Sequence, residues 1–246
     1  YGQKWGNPIY DWDIMEKDHF TWWKKRIKAA GSMYDVVRID HFIGIVRYYA
    51  IPAEGVPVDG AFRKGPGEKL IKAIDEAIGD AKVIAEDLGV VVPGVRQLLK
   101  QSGYPGMKIL EFAFDGKRDN EYLPHNYERN CVVYSGTHDN ETLLGYFDSL
   151  PEEGYKYLLD YTGLCISDKI CSEFKEKLAN AVIRLAYQSV ADTVILQMQD
   201  ILKKDNDARM NLPSTIGQNW RWRLKRGEFG EKEIKFLVKM ADIYDR

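Results

Sequence analysis

The chain has 246 residues, 45% of them hydrophobic, and its 35 basic and 37 acidic side chains give a formal net charge of −2. This composition is typical of globular proteins and excludes a disordered chain. The near-zero net charge excludes the bulk attraction on which nucleic-acid and acidic-membrane binding depend, so we expect no nucleic-acid partner and no membrane partner. No apolar run approaches the ~18 residues of a membrane-spanning helix.

Cysteine usage and aromatic content are informative as well. The three cysteines, Cys131, Cys165 and Cys171, are odd in number and lack the spacing of a metal site. We therefore expect no disulfide framework and a reducing compartment, so the predicted location is cytoplasmic. Aromatic residues make up 12% of the chain, with 15 Tyr and 6 Trp.

Short β-branched runs alternate along the chain with stretches of helical apolar spacing. In chain order, the predicted elements are a helix over 17–30, a strand over 34–39, a helix over 66–78, a strand over 82–85, a helix over 93–100, strands over 107–112 and 131–134, helices over 155–160 and 173–188, a strand over 193–196 and a closing helix over 231–244. This alternation predicts an α/β fold with a parallel sheet. The Pro- and Gly-rich stretch 51–67 is predicted to be a long loop.

Three of the predicted strands end in ionisable residues. The first ends at Asp40, the second at Glu86, and the fourth leads through Ser-Gly-Thr to His138 and Asp139. Side chains at the C-terminal ends of parallel strands converge on one site, so the three carboxylates are predicted to face one pocket. A turn or a helix cap would explain any one of them alone, but three in succession favour a site.

Two kinds of chemistry use such a set of side chains. Metal-dependent hydrolysis could use His41 and His138 as ligands, but no HxH or HExxH pattern is present. Glycosyl transfer needs one carboxylate nucleophile and one protonated carboxylic acid. Arg38 precedes Asp40 by two residues and would face the same side of the strand, where its charge favours the ionised form of a nucleophile. Glu86 would need a raised pKa to act as the acid.

Aromatic side chains are crowded near the N-terminus, and their flat apolar faces suit the C–H groups of a sugar. Core packing accounts for most aromatic residues in most proteins. Trp5 differs because it lies in a polar, Gly-rich segment, where we expect an exposed functional ring. The aromatic excess therefore favours glycosyl transfer over metal-dependent hydrolysis.

Several motifs together resemble those of the 4-α-glucanotransferases of glycoside hydrolase family 77, in the α-amylase clan of (β/α)8 barrels. The matching stretches are GQKWGNPIYDW at the N-terminus, VRIDHF, GPGEKL, IAEDLG, GMKILEFAF, YLPHNY, SGTHDNET, ARMNLP and NWRWR. The resemblance extends over essentially the whole chain. VRIDHF or THDN alone would indicate only the wider clan, whereas the set is specific to the family.

The resemblance implies a role for each of the three carboxylates. Asp40 would be the nucleophile that forms a covalent β-glucosyl intermediate, Glu86 the general acid/base and Asp139 the transition-state stabiliser. A retaining double displacement predicts that the carboxyl groups of Asp40 and Glu86 lie ~5–5.5 Å apart. The donor and the acceptor would both be α-1,4-glucans, and neither a cofactor nor a metal ion is expected.

The resemblance also implies a set of substrate-binding residues: Gln3, Trp5, Arg38, His41 and His138. Asn211 and Trp220 lie in family-like segments, but the resemblance assigns them no role.

The implied fold class is a partial (β/α)8 TIM barrel with helical additions, because the chain supplies about five of the eight strands that a barrel needs. In the family, the early strands precede the GQKWGNP motif. We therefore expect residues 1–246 to form the C-terminal part of a catalytic barrel whose N-terminal part is absent, and that part would be a partner. An open barrel predicts low activity for this chain alone. Two alternatives stay open: an α-glucan hydrolase of the same clan, and an inactive truncated fragment that binds glucan.

Overall fold

The computed structural model describes residues 4, 6–89, 92–165 and 171–246, and it forms two compact units, Tyr1–Met107 and Lys108–Arg246. Both units combine helices with short β-strands, which confirms the predicted mixed α/β class. Over the described ranges, none of the helices has the length and apolar character that crossing a membrane requires.

The first unit contains two small pairs of strands and five helices among its described residues. In chain order its elements are α1 (Trp12–Lys17), α2 (Thr21–Gly31), β1 (Val36–Ile39), α3 (Ile43–Val46), β2 (Arg47–Ala50), β3 (Ala61–Lys64), α4 (Glu68–Asp75), β4 (Lys82–Ala85) and α5 (Pro93–Ser102). Strands β1 and β4 pair in parallel, with Ile39 opposite Ala85. The helices bury apolar side chains against this pair; on α4, for example, Leu70 and Ile74 are both fully buried at the four-residue spacing of one helix face.

The helix predicted over 17–30 is wrong at its start, because the chain breaks between α1 and α2. Phe20 has a left-handed backbone with φ of 56°. Asp18 supports the new start, since its carboxylate accepts a hydrogen bond from the Thr21 N–H (3.2 Å) and its carbonyl accepts one from the Thr21 hydroxyl (2.6 Å). Asp is a residue that helix starts favour for this reason.

The long loop predicted over 51–67 is wrong in part, because it contains β3. Strands β2 and β3 form an antiparallel hairpin with Tyr49 opposite Phe62. The two rings contact each other edge to face with their centroids 5.0 Å apart, and the Arg47 guanidinium lies over the Phe62 ring. Gly60, directly before β3, leaves no room for a Cβ unless the Tyr49 ring shifts, because a Cβ there would lie 2.4 Å from that ring.

The second unit is a three-stranded sheet covered by helices. Its elements are the end of β5 (Gly106–Ile109), β6 (Cys131–Tyr134), α6 (Leu143–Ser149), α7 (Glu152–Thr162), α8 (Ser172–Gln188), β7 (Thr193–Ile195), α9 (Met198–Ile201) and α10 (Glu231–Tyr244). The strand order is β5-β6-β7, and β6 and β7 are parallel with Val133 opposite Val194. Helix α8 is central, since α6, α7 and α10 all contact it and its residues Leu178 and Ile183 are fully buried.

Each of the five predicted strands overlaps an observed strand, although the strand predicted over 107–112 spans Gly106–Ile109 and is followed by a 3-10 turn over Leu110–Phe112. The observed pairings form separate sheets of two, two and three strands. The parallel pairs β1/β4 and β6/β7 agree with the predicted parallel arrangement. The strand count does not by itself establish a partial barrel.

Candidate active site

In the first unit, Asp40 and Glu86 directly follow two strands that are paired in parallel. Because Ile39 lies opposite Ala85, the two acidic residues come next at the same end of the strand pair. Main-chain hydrogen bonds extend the pairing beyond the strands: the Glu86 N–H donates to the Ile39 carbonyl (2.9 Å) and the Phe42 N–H donates to the Glu86 carbonyl (2.8 Å). The structure therefore brings these two residues together.

Glu86 is a buried carboxylic acid, with 9% of the residue exposed. Its two oxygens accept hydrogen bonds from the main-chain N–H groups of His41 (2.6 Å) and Leu88 (2.9 Å). Burial raises the pKa of Glu86 above its ordinary value, and the charge of Asp40 raises it further, against the lowering effect of the two N–H groups. A carboxyl group that keeps its proton to higher pH can act as a general acid.

Asp40, by contrast, is exposed, with 77% of its side chain accessible. The Arg38 guanidinium donates to an Asp40 carboxylate oxygen and forms an ion pair with it. This contact places Arg38 on the side of the strand that its two-residue spacing predicts. An exposed carboxylate beside a buried acid gives the pair two different environments, which is the condition for two different chemical roles.

His41 contributes to this arrangement through its backbone. It has a left-handed conformation with φ of 50°, which turns its N–H toward Glu86. Its ring lies over Gly44, where an added Cβ would lie 2.8 Å from the imidazole Cδ2. The side chain itself is exposed beside Asp40.

A cavity of about 630 Å³ lies in the first unit beside Asp40. Arg38, Asp40 and His41 contribute polar groups to its wall. Its aromatic lining consists of Tyr10, Trp12, Trp23 and Tyr48. The rings of Tyr10 and Trp12 lie 4.9 Å apart, and Tyr10 also contacts Trp23 at 5.6 Å. The cavity thus combines flat apolar faces with the carboxylate.

Gln3 and Trp5, which the resemblance places in substrate binding, lie outside the described residues. Lys4 between them is described, and its ammonium group donates to the carbonyls of Ala53 (2.5 Å) and Gly55 (2.8 Å) in the loop between β2 and β3.

In the second unit, His138 and Asp139 lie in a turn that follows β6 after the short link over 135–137. One Asp139 carboxylate oxygen lies 3.3 Å from the His138 Nε2, and the side chain is about half-exposed. The other oxygen accepts a hydrogen bond from the Asn211 side-chain amide at 2.6 Å. The convergence of Asp139 with Asp40 and Glu86 stays a prediction, since it joins the two units.

Three residues near the C-terminus complete the surroundings of Asp139. The Asn211 amide donates to the Asp139 carboxylate, and the Trp220 ring lies 5.1 Å from the His138 ring. Asn211 and Trp220, to which the resemblance assigns no role, therefore belong to the surroundings of Asp139. Arg209, which sequence reasoning missed, donates to the Asp139 carbonyl at 2.7 Å. The sequence feature that could have identified Arg209 is its position in the family-like ARMNLP motif, two residues before Asn211.

Two buried acids that sequence reasoning also missed lie beneath the turn that carries Asp139. Asp200 is fully buried and accepts hydrogen bonds from the Ser135 hydroxyl (2.5 Å) and the Leu143 N–H (2.8 Å). Burial raises its pKa to about 6. Glu111 is also buried, and burial together with the charge of Asp200 raises its pKa well above the usual range. Gly136 has no room for a side chain, because a Cβ there would lie 2.5 Å from Glu111 Oε1.

Within the part of the chain that the structure describes, no three His, Cys, Asp or Glu residues are grouped as a metal ion requires. His41 and His138 belong to different units; the His41 main-chain N–H donates to Glu86, and the His138 imidazole contacts Asp139.

A buried carboxylic acid next to an exposed carboxylate, beside a cavity walled by rings, is typical of enzymes that cleave or transfer glycosidic bonds. Comparison with known proteins specifies the family. Residues 1–228 match the family model described as 4-alpha-glucanotransferase, and the chain belongs to this family.

Relatives and solved structures agree with this assignment. The chain is 44% identical to the 4-alpha-glucanotransferase of Clostridium butyricum over 100% of its own length and 49% of the relative's. It is 46% identical to the chloroplastic/amyloplastic 4-alpha-glucanotransferase of Arabidopsis thaliana, over 91% of this chain and 38% of that one. The amylomaltase of Streptococcus agalactiae, solved in complex with acarbose, superposes with a TM-score of 0.91 at 40% identity, over 100% of this chain and 48% of that chain. The chain thus spans about half the length of the curated relatives that it matches.

Proposed function

We propose that this chain carries the catalytic carboxylates of a 4-α-glucanotransferase, which moves segments of α-1,4-glucan between maltooligosaccharides with retention of configuration. The observation that carries the proposal is the placement of buried Glu86 and exposed Asp40 after adjacent parallel strands. Membership of the family and the names of the relatives support it.

In the first half of the reaction, Asp40 attacks the anomeric carbon of the donor sugar while Glu86 gives its proton to the departing glycosidic oxygen. The bond from the carboxylate to the sugar forms as the bond to the leaving glucan breaks. Burial supports the role of Glu86, because the raised pKa keeps it protonated at a higher pH than an exposed glutamate. The exposure of Asp40 supports its role, because a nucleophile must reach the substrate.

In the second half, the ionised Glu86 takes the proton from the 4-hydroxyl of an acceptor glucan. The acceptor oxygen attacks the anomeric carbon and expels the Asp40 carboxylate. Water in the same position would give hydrolysis instead, so transfer depends on orienting the acceptor and excluding water. The aromatic wall of the cavity beside Asp40 supports this preference, since its rings offer apolar faces to sugars rather than polar groups to water.

Asp139 is proposed to stabilise the positive charge that develops on the sugar in the transition state. Its hydrogen bond from Asn211 and its contact with His138 support a fixed carboxylate. The proposed substrate-binding residues are Gln3, Trp5, Arg38, His41 and His138. Asp40, Glu86 and Asp139 would then act on the same sugar.

We further propose that residues 1–246 form the C-terminal part of a catalytic (β/α)8 barrel. The parallel pairs β1/β4 and β6/β7 support this arrangement, as does the likeness to about half of an amylomaltase structure. The polypeptide that completes the barrel would be a partner of this chain, and α-1,4-glucans would be donor and acceptor.

The proposed location is the cytoplasm. The three cysteines support it, because none of them forms a disulfide in the structure. The Arabidopsis thaliana relative is named as a chloroplastic/amyloplastic protein.

Incubation of the protein with maltotriose, with the part that completes the barrel present, tests the proposed function, because an open barrel is expected to have low activity. A transferase releases glucose and forms a ladder of longer maltooligosaccharides, which chromatography resolves. Asp40→Asn and Glu86→Gln should each abolish the ladder, because each removes one of the two carboxyl groups that the double displacement needs. Asp242→Asn on α10 removes a different exposed carboxylate and serves as the matched control.

Each other outcome contradicts a defined part of the proposal. Reducing ends without a ladder would indicate a hydrolase of the same clan. No product, but binding of maltoheptaose by calorimetry, would indicate an inactive glucan-binding fragment. A ladder that persists in Asp40→Asn would refute the nucleophile assignment.

A further inference from the structure

We propose that Arg209 is a positioning residue for Asp139, which it fixes from two sides by holding both the main chain of Asp139 and the main chain of Asn211. The inference rests on the proposed role of Asp139 in the reaction. All the contacts that it uses lie within the second unit.

The hydrogen bonds form a closed ring. The Arg209 Nη2 donates to the Asp139 carbonyl (2.7 Å), and the Arg209 Nε donates to the Asn211 carbonyl (2.9 Å). The Asn211 side-chain amide in turn donates to the Asp139 carboxylate (2.6 Å). With its one planar guanidinium group, Arg209 therefore fixes both the backbone of Asp139 and the backbone of Asn211, whose side chain holds the Asp139 carboxylate.

Arginine is suited to this task because its guanidinium presents several N–H groups in a rigid fork. The two bonds to Asp139 and Asn211 use different nitrogens of that fork. A lysine ammonium is a point charge on a flexible stem and cannot hold both carbonyls in one fixed geometry. Lysine should therefore replace arginine only in part.

Glu141 lies beside Arg209 and connects it to Asn206. Its Oε1 lies 3.9 Å from the Arg209 Nη1 and accepts a hydrogen bond from the Asn206 side-chain amide at 2.8 Å. Asn206 also accepts from the Thr142 N–H at 3.2 Å. The segment that carries Arg209 is thus bonded to the turn after β6 at several points, and the Arg209 side chain is only 20% exposed.

The inner side of the turn is held by other groups. The Thr137 N–H and hydroxyl both donate to the Asn140 side-chain oxygen, at 2.9 and 2.7 Å, and the Gln197 side-chain amide donates to the Glu141 carbonyl at 3.0 Å. None of these bonds reaches the Asp139 carboxylate, which points outward and is about half-exposed. The Asp139 carboxylate is held by the Asn211 amide, whose segment Arg209 supports, and by the contact of its second oxygen with the His138 Nε2 at 3.3 Å.

The expected consequence is a loss of rate rather than of substrate affinity. A carboxylate that stabilises developing charge acts mainly in the transition state, so misplacing it lowers kcat and leaves KM nearly unchanged. Misplacement by about 1 Å costs on the order of 100-fold. Loss of Arg209 should therefore lower kcat by about 10- to 100-fold while KM changes by less than about threefold.

The test is a double-mutant cycle on maltotriose transfer. Arg209→Ala and Arg209→Lys are each measured alone and in combination with Asp139→Asn. If Arg209 acts through Asp139, Arg209→Ala lowers kcat strongly in the native background and less than about twofold in the Asp139→Asn background. Arg209→Lys recovers part of the rate. Arg184→Ala, which removes an exposed arginine that donates to the Tyr244 hydroxyl on α10, is the matched control.

Hydrogen exchange of the peptide over 137–142 provides a readout that needs no activity. Exchange there should increase in Arg209→Ala, recover in part in Arg209→Lys and stay native in Arg184→Ala. Equal losses of kcat in both backgrounds, a loss carried by KM, or native exchange in Arg209→Ala would each overturn the inference. If the unsubstituted protein with the complete barrel makes no product, the proposed function fails, and the exchange result alone decides whether Arg209 positions the turn.

Discussion

Asp200 offers a quantitative test of how the second unit is built. Asp200→Asn keeps the shape of the side chain: its oxygen can still accept from the Leu143 N–H, and its amide can donate to the Ser135 oxygen. What it removes is a fully buried carboxylate whose pKa is raised from 3.8 to about 6. Because the folded state holds this proton more tightly than the unfolded state, Asp200 contributes stability at low pH that is lost as the pH rises through about 6.

The magnitude follows from the two pKa values. A difference of about two pKa units corresponds to about 3 kcal/mol between fully protonated and fully ionised limits. Between pH 8 and pH 5 about half of this difference applies, so acidification should raise the free energy of unfolding of the native chain by on the order of 1 kcal/mol through Asp200. In Asp200→Asn this part of the gain disappears. The variant should also lose some of the contribution of Glu111, because the charge of Asp200 helps to raise the pKa of that neighbour.

Urea unfolding at pH 8 and pH 5, followed by far-ultraviolet circular dichroism, measures this difference directly. At pH 8 the variant should be at least as stable as the native chain, since it no longer buries a charge. Asp242→Asn controls for the loss of one surface carboxylate. An equal gain in stability on acidification for the native chain and Asp200→Asn would refute the reasoning.

Three further predictions concern the acid, the core and the close packing of the second unit. The pKa at which kcat/KM falls with rising pH should lie above that of an ordinary glutamate, because burial raises the pKa of Glu86. This fall should disappear with a glycosyl fluoride donor, because its leaving group needs no proton. Leu158→Ala, at a fully buried position, should lower the free energy of unfolding by about 2–5 kcal/mol, measured by urea denaturation. Gly145→Ala should lower the melting temperature, because its Cβ would lie 2.1 Å from the Asn206 side-chain oxygen, and adding Asn206→Ala should restore part of the loss.

Local patterns were sufficient where one segment determines its own structure. The helix over 231–244 has the predicted bounds, and α5, predicted over 93–100, continues to Ser102, where Gly103 follows with a left-handed φ of 69° that suits glycine. Asp40 and Glu86 could be found because each follows an apolar strand, and parallel pairing then places them at the same end. The need for a raised pKa at Glu86 followed from chemistry, and its burial provides the cause.

Contacts between segments that are distant in sequence could not be predicted from local patterns. The hairpin of β2 and β3 was missed because its second strand lies in a stretch rich in Pro and Gly, where composition favours a loop. Arg209 reaches Asp139 across 70 residues, and the hydrogen bond from the Ser135 hydroxyl to Asp200 spans 65. Such pairs leave no periodic signal, because tertiary packing rather than local spacing brings them together.

A covalent intermediate on Asp40 is the central claim, and it can be trapped. With α-maltotriosyl fluoride and Glu86→Gln, the carbon–fluorine bond can break without an acid, whereas the second step lacks its general base, so the glycosyl-enzyme should accumulate. Mass spectrometry of proteolytic peptides should then find one maltotriosyl group on the peptide that contains Asp40, and none in Asp40→Asn/Glu86→Gln. A maltotriosyl group on another residue, or release of fluoride with no adduct and an unchanged rate in the double variant, would contradict the account.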